Sequence, residues 1–194
     1  MKRGRLFILS GPSGVGKGTV RARLFEKIPG LVYSISCTTR SPREGEIDGV
    51  HYRFIDDAAF DSFVREGRFL EWARVHENRY GTLRADVENQ LSEGRSVVLE
   101  IDVQGALQVK RKMPESVMIF IMPPSLRELE ERLSGRGTEE TEMLRIRLRN
   151  AESELALSGQ YDYAVVNDQV ERAANELAEI FMNEMSRTKE SEQR

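Results

Sequence analysis

The sequence predicts an α/β fold of three layers, in which helices cover both faces of a parallel sheet. A short apolar run at residues 6–9 leads through a glycine-rich loop into a helical pattern. Three later apolar runs, at residues 97–101, 117–121 and 163–166, have the length and composition of strands that are buried on both faces. Helical patterns separate these runs, and strands that alternate with helices build parallel sheets. Ligands of such sheets bind beyond the carboxyl ends of the strands.

The first strand leads into a loop suited to phosphate, which consists of Gly11, Pro12, Ser13, Gly14, Val15, Gly16, Lys17, Gly18 and Thr19. Glycines let successive backbone N–H groups point at one anion, and a helix that begins near Lys17 adds the positive end of its dipole. The loop is close to the nucleoside-triphosphate pattern G-x-x-x-x-G-K-[ST], although Gly18 occupies the hydroxyl position and Thr19 follows one residue late. The alternative, a glycine turn with a chance lysine, is disfavoured by the strand that precedes it.

Amphipathic patterns predict helices between the strands. Behind the loop, Val20, Leu24 and Ile28 recur at helical spacing, and the sequence Pro-Gly at residues 29–30 ends that helix. Two later helices begin with the spacing of a capping box. The pair Ser125 and Glu128 precedes the apolar stripe Leu126, Leu129 and Leu133, and the pair Asp168 and Glu171 begins the stripe Val170, Ala173, Leu177 and Phe181. Between them, a third helix is predicted from the apolar stripe Leu144, Leu148, Ala151 and Leu155.

Two segments differ from this alternating core. Residues 34–82 contain β-type alternation, a short helix around Phe60 and a further strand at residues 69–75, which predicts an inserted lobe. Residues 126–158 are predicted to form a helical lid. Its charged part carries Arg136, Arg145, Arg147 and Arg149.

A chain of 194 residues with 39% hydrophobic content can bury one sizeable core. We therefore expect a single domain over residues 1–186. The tail at residues 187–194 has no apolar residue and is expected to be disordered. Apart from the lobe and the lid, the domain is a core made of residues 1–33, 83–125 and 159–186.

Charge and cysteine content exclude several classes of protein. The 29 basic and 32 acidic residues give a net charge of −3, which offers no general attraction to nucleic acid or to an anionic membrane. No apolar stretch approaches the roughly 20 residues that cross a bilayer. Cys37 is the single cysteine, and His51 and His76 cannot make a conventional zinc site without further ligands. We expect a soluble cytoplasmic protein that binds neither nucleic acid nor membranes.

Arg40 and Arg43 lie three residues apart in a loop marked by proline and glycine. Guanidinium groups bind phosphate through two parallel hydrogen bonds, so the pair is suited to a second phosphate. A solvated basic loop is the alternative, and it would be favoured if this loop stood alone.

The order of these motifs resembles that of guanylate kinases, over nearly the whole chain up to about residue 185. The resemblance implies a P-loop kinase core with an inserted GMP-binding lobe and a helical lid. It implies reversible transfer of the γ-phosphoryl group of ATP to GMP or dGMP with Mg²⁺ as cofactor, giving ADP and GDP, in purine nucleotide metabolism and GMP recycling. Beside the phosphate loop, the motifs are residues 36–46, 49–52, 70–73, 80–82, 100–105, 135–138 and 166–168.

The resemblance also assigns residues to the acceptor, and the position of two acids suggests the metal site. Glu100 and Asp102 end an apolar strand at the ligand edge of the sheet, where an acid commonly contacts Mg²⁺ through water. We expect Glu100 to take this role beside GMP, whereas Asp102 serves the base. Thr19 is the second candidate for Mg²⁺, partly through water. The implied contacts to the GMP phosphate are Arg40, Arg43, Tyr52 and Tyr80, and those around the base are Ser36, Glu71, Thr82 and Asp102.

Physical chemistry supports Glu71 independently. Guanine presents an N1–H and an N2–H₂ donor side by side, and one carboxylate accepts both. Adenine has an acceptor at N1, which the same carboxylate would repel. Taken alone, Glu71 would be interpreted as a surface acid, and the two tyrosines as packing aromatics.

On the donor side, the resemblance implies that Arg132, Arg136 and Arg147 approach the transferring group, with Arg136 and Asn167 near the adenine. Together with Lys17 and Arg40 they are the predicted catalytic residues. The GMP phosphate has a second pKa near 6 and needs no side-chain base. Arg145 and Arg149 have acidic helical neighbours and are interpreted as surface charges.

Two other functions remain open at this stage. Residues 16–19 also resemble the loop of adenylate kinases, so another nucleoside monophosphate is a possible acceptor. A guanylate-kinase-like interaction module that no longer catalyses is the second alternative. The chain has Glu77 and Arg79 where many family members have glycine and tyrosine, which suggests Arg79 as an extra cation near the acceptor. Whether the protein is a monomer or a homo-oligomer is undetermined.

Overall fold

The structure, a computed structural model, describes residues 3–75, 77–134 and 141–191. Arg136 and the motif at residues 135–138 lie outside these ranges, as do His76 and residues 192–194. The elements in chain order are β1 (Leu6–Ser10), α1 (Lys17–Lys27), β2 (Val32–Tyr33), β3 (Cys37–Thr38), β4 (Arg53–Phe54), α2 (Asp57–Arg65), β5 (Phe69–Val75), β6 (Asn78–Leu83), α3 (Arg84–Ser92), β7 (Val97–Glu100), α4 (Val103–Lys112), β8 (Val117–Met122), α5 (Leu126–Ser134), α6 (Thr141–Leu155), a 3₁₀ turn (Ser158–Gln160), β9 (Tyr163–Val166) and α7 (Val170–Ser191).

Five strands form a parallel sheet in the order β2-β7-β1-β8-β9. Every residue of β1 is buried, as expected for an apolar run in the middle of a parallel sheet. The predicted strands at residues 6–9, 97–101, 117–121 and 163–166 are confirmed, and their ends agree within one residue. The short strand β2 was not predicted, because two half-buried residues at a sheet edge carry no periodic signal.

Side chains from β1 alternate between two hydrophobic clusters, one on each face of the sheet. Phe7 and Leu9 pack with residues of α1 and α7, and the ring of Phe7 stacks on Phe181 at a centroid distance of 3.8 Å. Leu6 and Ile8 pack with residues of α3 and α4 on the opposite face. Helices on both faces of the sheet confirm the predicted three-layer architecture.

A smaller mixed sheet, with strand order β4-β3-β6-β5, lies in the segment predicted as an inserted lobe. It has a separate hydrophobic cluster around Phe60, which α2 supplies, and Phe69. The helix around Phe60 and the strand at residues 69–75 are confirmed. Strands β3 and β6 were not predicted, since β3 has only two residues and β6 includes glycine and polar side chains.

The capping signal at Ser125 is confirmed, because Ser125 Oγ accepts a hydrogen bond from the backbone N–H of Glu128 at 3.1 Å where α5 begins. Asp168 Oδ1 instead accepts from the adjacent Gln169 at 2.6 Å, before α7 begins at Val170, which is not the predicted capping bond to Glu171. At its other end α7 continues to Ser191, and the disorder expected for residues 187–194 stays a prediction. An ion pair between Arg187 and Glu184, one turn apart, supports this extension at 2.7 Å. None of the helices in the described ranges is both long and apolar enough to span a membrane.

Candidate active site

A cleft of about 350 Å³ lies where β1 and β7 end and the lobe begins. Its walls come from four parts of the chain that are distant in sequence. The phosphate loop contributes Lys17, the lobe contributes Arg40 and Glu71, the end of β7 contributes Glu100, and α6 contributes Glu154. The cleft thus lies beyond the carboxyl ends of the parallel strands, where the sequence predicts that the ligand binds.

The phosphate loop closes on itself at Lys17. The Lys17 ammonium donates to the carbonyls of Gly11 and Pro12 at 2.6 and 3.1 Å. Burial lowers its pKa, while Glu100 and Glu154 act in the opposite direction. Gly16, the residue directly before α1, has a φ of 92°, and a Cβ there would lie 2.7 Å from Asn167 Nδ2. The glycine is therefore required by its backbone conformation and by the close approach of Asn167.

Asn167 and Arg132 hold the loop from its outer side. Asn167 is 3% exposed, and its Nδ2 donates to the carbonyl of Val15 at 2.7 Å. Arg132 donates to the same carbonyl at 3.4 Å and to the carbonyl of Asn167 at 3.0 Å. The Oδ1 atom of Asn167 is buried and has no hydrogen-bond partner in the part of the chain that the structure describes. An open acceptor thus lies next to the phosphate loop.

The lid arginines divide into two groups on α6. Arg147 is half-buried, whereas Arg145 and Arg149 are exposed and face Glu142 at 3.9 and 3.7 Å. Exposed pairs of this kind have little energetic consequence, in line with the surface role predicted for Arg145 and Arg149.

The guanidinium of Arg40 forms a two-bond ion pair with Glu46. Its Nη1 and Nη2 atoms donate to the two carboxylate oxygens at 2.9 and 2.8 Å. The bonds from Arg40 and from the backbone of Arg43 hold the pKa of Glu46 at about 2. Tyr52 and Tyr80 complete this end of the cleft, with ring centroids 6.0 Å apart and the Arg40 guanidinium 5.5 Å from the Tyr52 ring. All four residues predicted to hold the GMP phosphate, namely Arg40, Arg43, Tyr52 and Tyr80, line the cleft.

Glu46 received no role from the sequence. It lies in the motif at residues 36–46, and an acid three residues after Arg43 was the only signal available. Only the folded loop shows that Glu46 sets the orientation of Arg40.

Two acids occupy the inner wall, where the base is predicted to bind. Glu71 is 3% exposed, and the Thr82 hydroxyl donates to its Oε1 at 2.5 Å. Burial raises the pKa of Glu71 to about 7. Asp102 caps α4 by accepting from the backbone N–H of Gly105 at 2.9 Å, and burial raises its pKa as well. A Cβ on Gly105 would collide with Oε2 of Glu71, so the glycine of the motif at residues 100–105 makes room for this carboxylate. Ser36 is buried and lines the same wall.

Glu100 fits the metal role better than Thr19. The carboxylate lies at the end of β7, and its Oε2 accepts from Arg21 Nε at 2.8 Å. Its Oε1 is 3.9 Å from the place where a Cβ on Gly18 would lie. Thr19 is exposed and lies outside the lining of the cleft. Mg²⁺ needs few protein oxygens when a nucleotide supplies phosphates, so a single carboxylate here fits the ion.

Arg79 is not a cation near the acceptor, and that expectation is wrong. The residue is 9% exposed, and its guanidinium binds Asp57 and Asp61 of α2, the latter at 2.5 Å. It also lies over the ring of Phe60 at 4.6 Å. Successive side chains of a strand point to opposite faces, so Tyr80 faces the cleft and Arg79 faces α2.

Glu154 is a further cleft residue that sequence reasoning missed. It was counted among the acidic neighbours of Arg145 and Arg149, but it lies half-buried on the inner face of α6. Burial raises its pKa, and Lys17 acts against that shift. The helical period places Glu154 away from the exposed arginines, a difference that only the packed lid makes visible.

Comparison with known proteins identifies the family. The guanylate kinase family model matches residues 3–184. Curated guanylate kinases from Thermus thermophilus and Syntrophomonas wolfei are 53% and 49% identical to this chain, covering 96% and 97% of it and 84% and 96% of their own lengths. A crystal structure of guanylate kinase from Anaplasma phagocytophilum superposes with a TM-score of 0.80 at 36% identity, over 95% of this chain and 87% of that one. The chain therefore belongs to the guanylate kinase family, the nucleoside monophosphate kinases that transfer a phosphoryl group from ATP to GMP.

Proposed function

We propose that the cleft carries out the Mg²⁺-dependent, reversible transfer of the ATP γ-phosphoryl group to GMP or dGMP. The observation that carries the proposal is the continuity of the cleft, which has the phosphate loop at one end and Arg40 with the buried acid Glu71 at the other. Phosphoryl transfer asks a protein chiefly to align two phosphates and to spread negative charge. A cleft with cations at both ends and an acid for the base meets that demand.

On the acceptor side, Arg40 and Arg43 bind the GMP phosphate together with Tyr52 and Tyr80. Glu46 keeps the Arg40 guanidinium oriented, because its two oxygens accept from Nη1 and Nη2, and the Ser41 carbonyl accepts a further bond from Nη1 at 2.8 Å. Glu71 in its ionised form accepts from guanine N1–H and N2–H₂, and the Thr82 hydroxyl holds one carboxylate oxygen in place. Ser36 and Asp102 contact the remaining edge of the base.

On the donor side, the loop N–H groups and Lys17 bind the phosphates of ATP. Binding requires Lys17 to exchange its two carbonyl partners for phosphate oxygens, which a mobile ammonium group does readily. Arg132 and Arg147 act on the transferring group together with Arg136, a residue outside the described ranges, and the open Oδ1 of Asn167 accepts from the adenine amino group. Mg²⁺ would neutralise charge on the outer phosphates when bound, and Glu100 is the residue that would hold it, through water.

No side-chain base is needed for the transfer. The GMP phosphate is largely dianionic at neutral pH and is itself the nucleophile. The charged side chains therefore orient the two phosphates and exclude water when the lid closes over them.

An acceptor panel tests this function. ADP formation from MgATP is measured with GMP, dGMP, AMP, CMP, UMP and dTMP as acceptors. We expect turnover with GMP and dGMP only, because Glu71 would repel the N1 acceptor of adenine. Comparable turnover with AMP contradicts the assignment of Glu71, and no turnover with any acceptor favours a non-catalytic interaction module.

We place the reaction in purine nucleotide metabolism in the cytosol. Cys37 is free and buried, as expected for a chain in a reducing compartment. Fractionation of cells that express the chain tests the compartment.

A further inference from the structure

Strand β5 lies at the edge of the lobe sheet, so no other strand of the described residues pairs with its outer backbone groups. Exposed strand edges of this kind need partners. Helix α4, which belongs to the core, lies along this edge. The lobe strand that carries Glu71 is therefore joined directly to the core helix that Asp102 caps.

Two side chains of α4 take the place of the missing strand. Gln108 Nε2 donates to the Trp72 carbonyl at 2.8 Å, and its Oε1 accepts from the Trp72 N–H at 3.4 Å. The Lys112 ammonium donates to the carbonyl of Leu70 at 2.5 Å. The backbone on both sides of Glu71 is thus held by the core.

The third contact along the same face of α4 is Gly105, against which the Glu71 carboxylate lies. Gly105, Gln108 and Lys112 are spaced by three and four residues, so they share one face of the helix. The register of β5 against β6 shifts between Phe69 and Glu71, and such bulges re-aim the side chain that follows. Lys112 binds the carbonyl of the residue at this bulge.

Charges around Glu71 act on it in both directions. Burial and Asp102 raise the pKa of Glu71, whereas the Thr82 hydroxyl and the Lys112 ammonium lower it. Burial lowers the pKa of Lys112 itself, Arg84 and Arg111 lower it further, and Glu71 raises it. Lys112 is thus the cation that favours the ionised carboxylate, the form that accepts two guanine donors.

We propose that Gln108 and Lys112 are positioning residues for guanine recognition, which fix the β5 backbone on either side of Glu71 so that its carboxylate faces the base. They contact neither nucleotide, and they act through Glu71. The inference rests on the proposed function, because it assigns the determinants of acceptor affinity at the same site.

The experiment uses Gln108→Glu, which keeps the side-chain length but loses the donor to Trp72, and Lys112→Met with Lys112→Arg as the conservative rescue. We expect the KM for GMP to rise by about 3- to 10-fold in Gln108→Glu and Lys112→Met, the size typical of one lost hydrogen bond. The KM for ATP and kcat at saturating GMP stay close to wild type. Lys112→Arg restores the KM for GMP.

A pH profile separates positioning from a general structural role. Loss of the Lys112 cation raises the pKa of Glu71, so the rise of kcat/KM for GMP with pH moves to higher pH in Lys112→Met. Direct titration with GMP, followed by the fluorescence of Trp72, reports the same loss of affinity without turnover. Lys110→Met is the matched control, since Lys110 binds Ser116 and Asp162 on the side of α4 away from β5.

Equal increases in the KM for GMP and for ATP, or a GMP affinity unchanged in both variants, overturn the inference. Circular dichroism checks that each variant is folded. If Gln108→Glu is not folded, Gln108→Asn takes its place. Failure of the wild type to turn over GMP is a different result, because it contradicts the proposed function itself.

Discussion

Glu71 combines two properties that oppose each other in the free protein. It is buried, which disfavours its charged form, and the role in binding guanine that we propose for it requires that form. The Thr82 hydroxyl bonded to Oε1 and the space above Gly105 reconcile them in part. Two guanine donors complete the set of partners, so binding of GMP relieves the cost of burying this carboxylate.

Glu71→Gln should raise the KM for GMP by on the order of 10² or more, because the amide presents a donor to one of the two guanine donors. The KM for ATP should remain near wild type. Steady-state kinetics with each substrate varied in turn measures both values, and Glu77→Gln, an exposed acid of the same lobe, is the control. Equal loss of affinity for both nucleotides would contradict the role assigned to Glu71.

Glu46→Gln should raise the KM for GMP by about 3- to 10-fold, since an amide accepts through one oxygen and cannot hold the Arg40 fork with two bonds. Initial rates over a range of GMP concentrations give the value. Glu44→Gln, an exposed neighbour in the same loop, should leave it unchanged. A lower KM in Glu46→Gln would mean that Glu46 competes with the phosphate instead of orienting Arg40.

At the scale of elements, one helix or strand places a key side chain at each end of the cleft. The start of α1 presents Lys17 because Gly16 adopts a left-handed conformation there. Strand β6 presents Tyr80 to the cleft because Arg79, on its other face, is bound to α2.

Lys17→Ala should lower kcat by on the order of 10³, by analogy with other single cations in phosphoryl transfer. The fold should persist, because the Lys17 ammonium binds only loop carbonyls among the described residues. Activity is measured beside far-ultraviolet circular dichroism, with Lys27→Ala at the far end of α1 as the control. Loss of the helical signal together with activity would show that Lys17 is needed for folding.

Arg79→Met should lower the melting temperature while leaving the KM for GMP within about 2-fold of wild type. Loss of the ion pairs that join β6 to α2 should lower the melting temperature by about a few degrees in a chain of this size. Scanning fluorimetry and GMP kinetics measure the two effects, and the exposed Arg74→Met is the control. A large rise in the KM for GMP without loss of stability would place Arg79 in the acceptor site after all.

At the scale of the whole molecule, a three-layer core and a smaller lobe meet at one cleft. The core contributes the phosphate loop and the acids that end β7, and the lobe contributes Arg40 and Glu71. In the proposed function neither part by itself binds both nucleotides, so the reaction would depend on how the two parts are joined along α4 and β5.

The stability of the free protein should fall through Glu71 as pH rises from about 4.5 to about 7, because the folded state holds this proton more tightly than the unfolded chain does. A pKa change from 4.5 to about 7 corresponds to at most about 3 kcal/mol. The melting temperature of Glu71→Gln, relative to wild type, should therefore increase between about pH 5 and pH 8, and scanning fluorimetry at both values measures it. A difference that does not change with pH would show that Glu71 does not titrate in this range.

Much of the fold was predictable because buried parallel strands and amphipathic helices carry strong local patterns. The strand-loop-helix unit around Lys17 and the cap at Ser125 depend only on neighbouring residues. The short strands β2 and β3 carry no such pattern, since long-range pairing alone defines them. The extension of α7 to Ser191 was not predicted from composition, because a helix that is already formed continues more easily than a new helix begins.

For the candidate site, the sequence by itself determined the chemistry: a phosphate loop, paired arginines and an acid suited to guanine, in the order of a guanylate kinase. Only the tertiary structure decided which side chains act on which. It pairs Glu46 with Arg40, directs Glu154 towards Lys17, turns Arg79 away from the cleft and joins Gln108 to the strand of Glu71. The physical reason is that local sequence encodes the conformations of neighbouring residues, whereas contacts between distant segments exist only once those segments pack together.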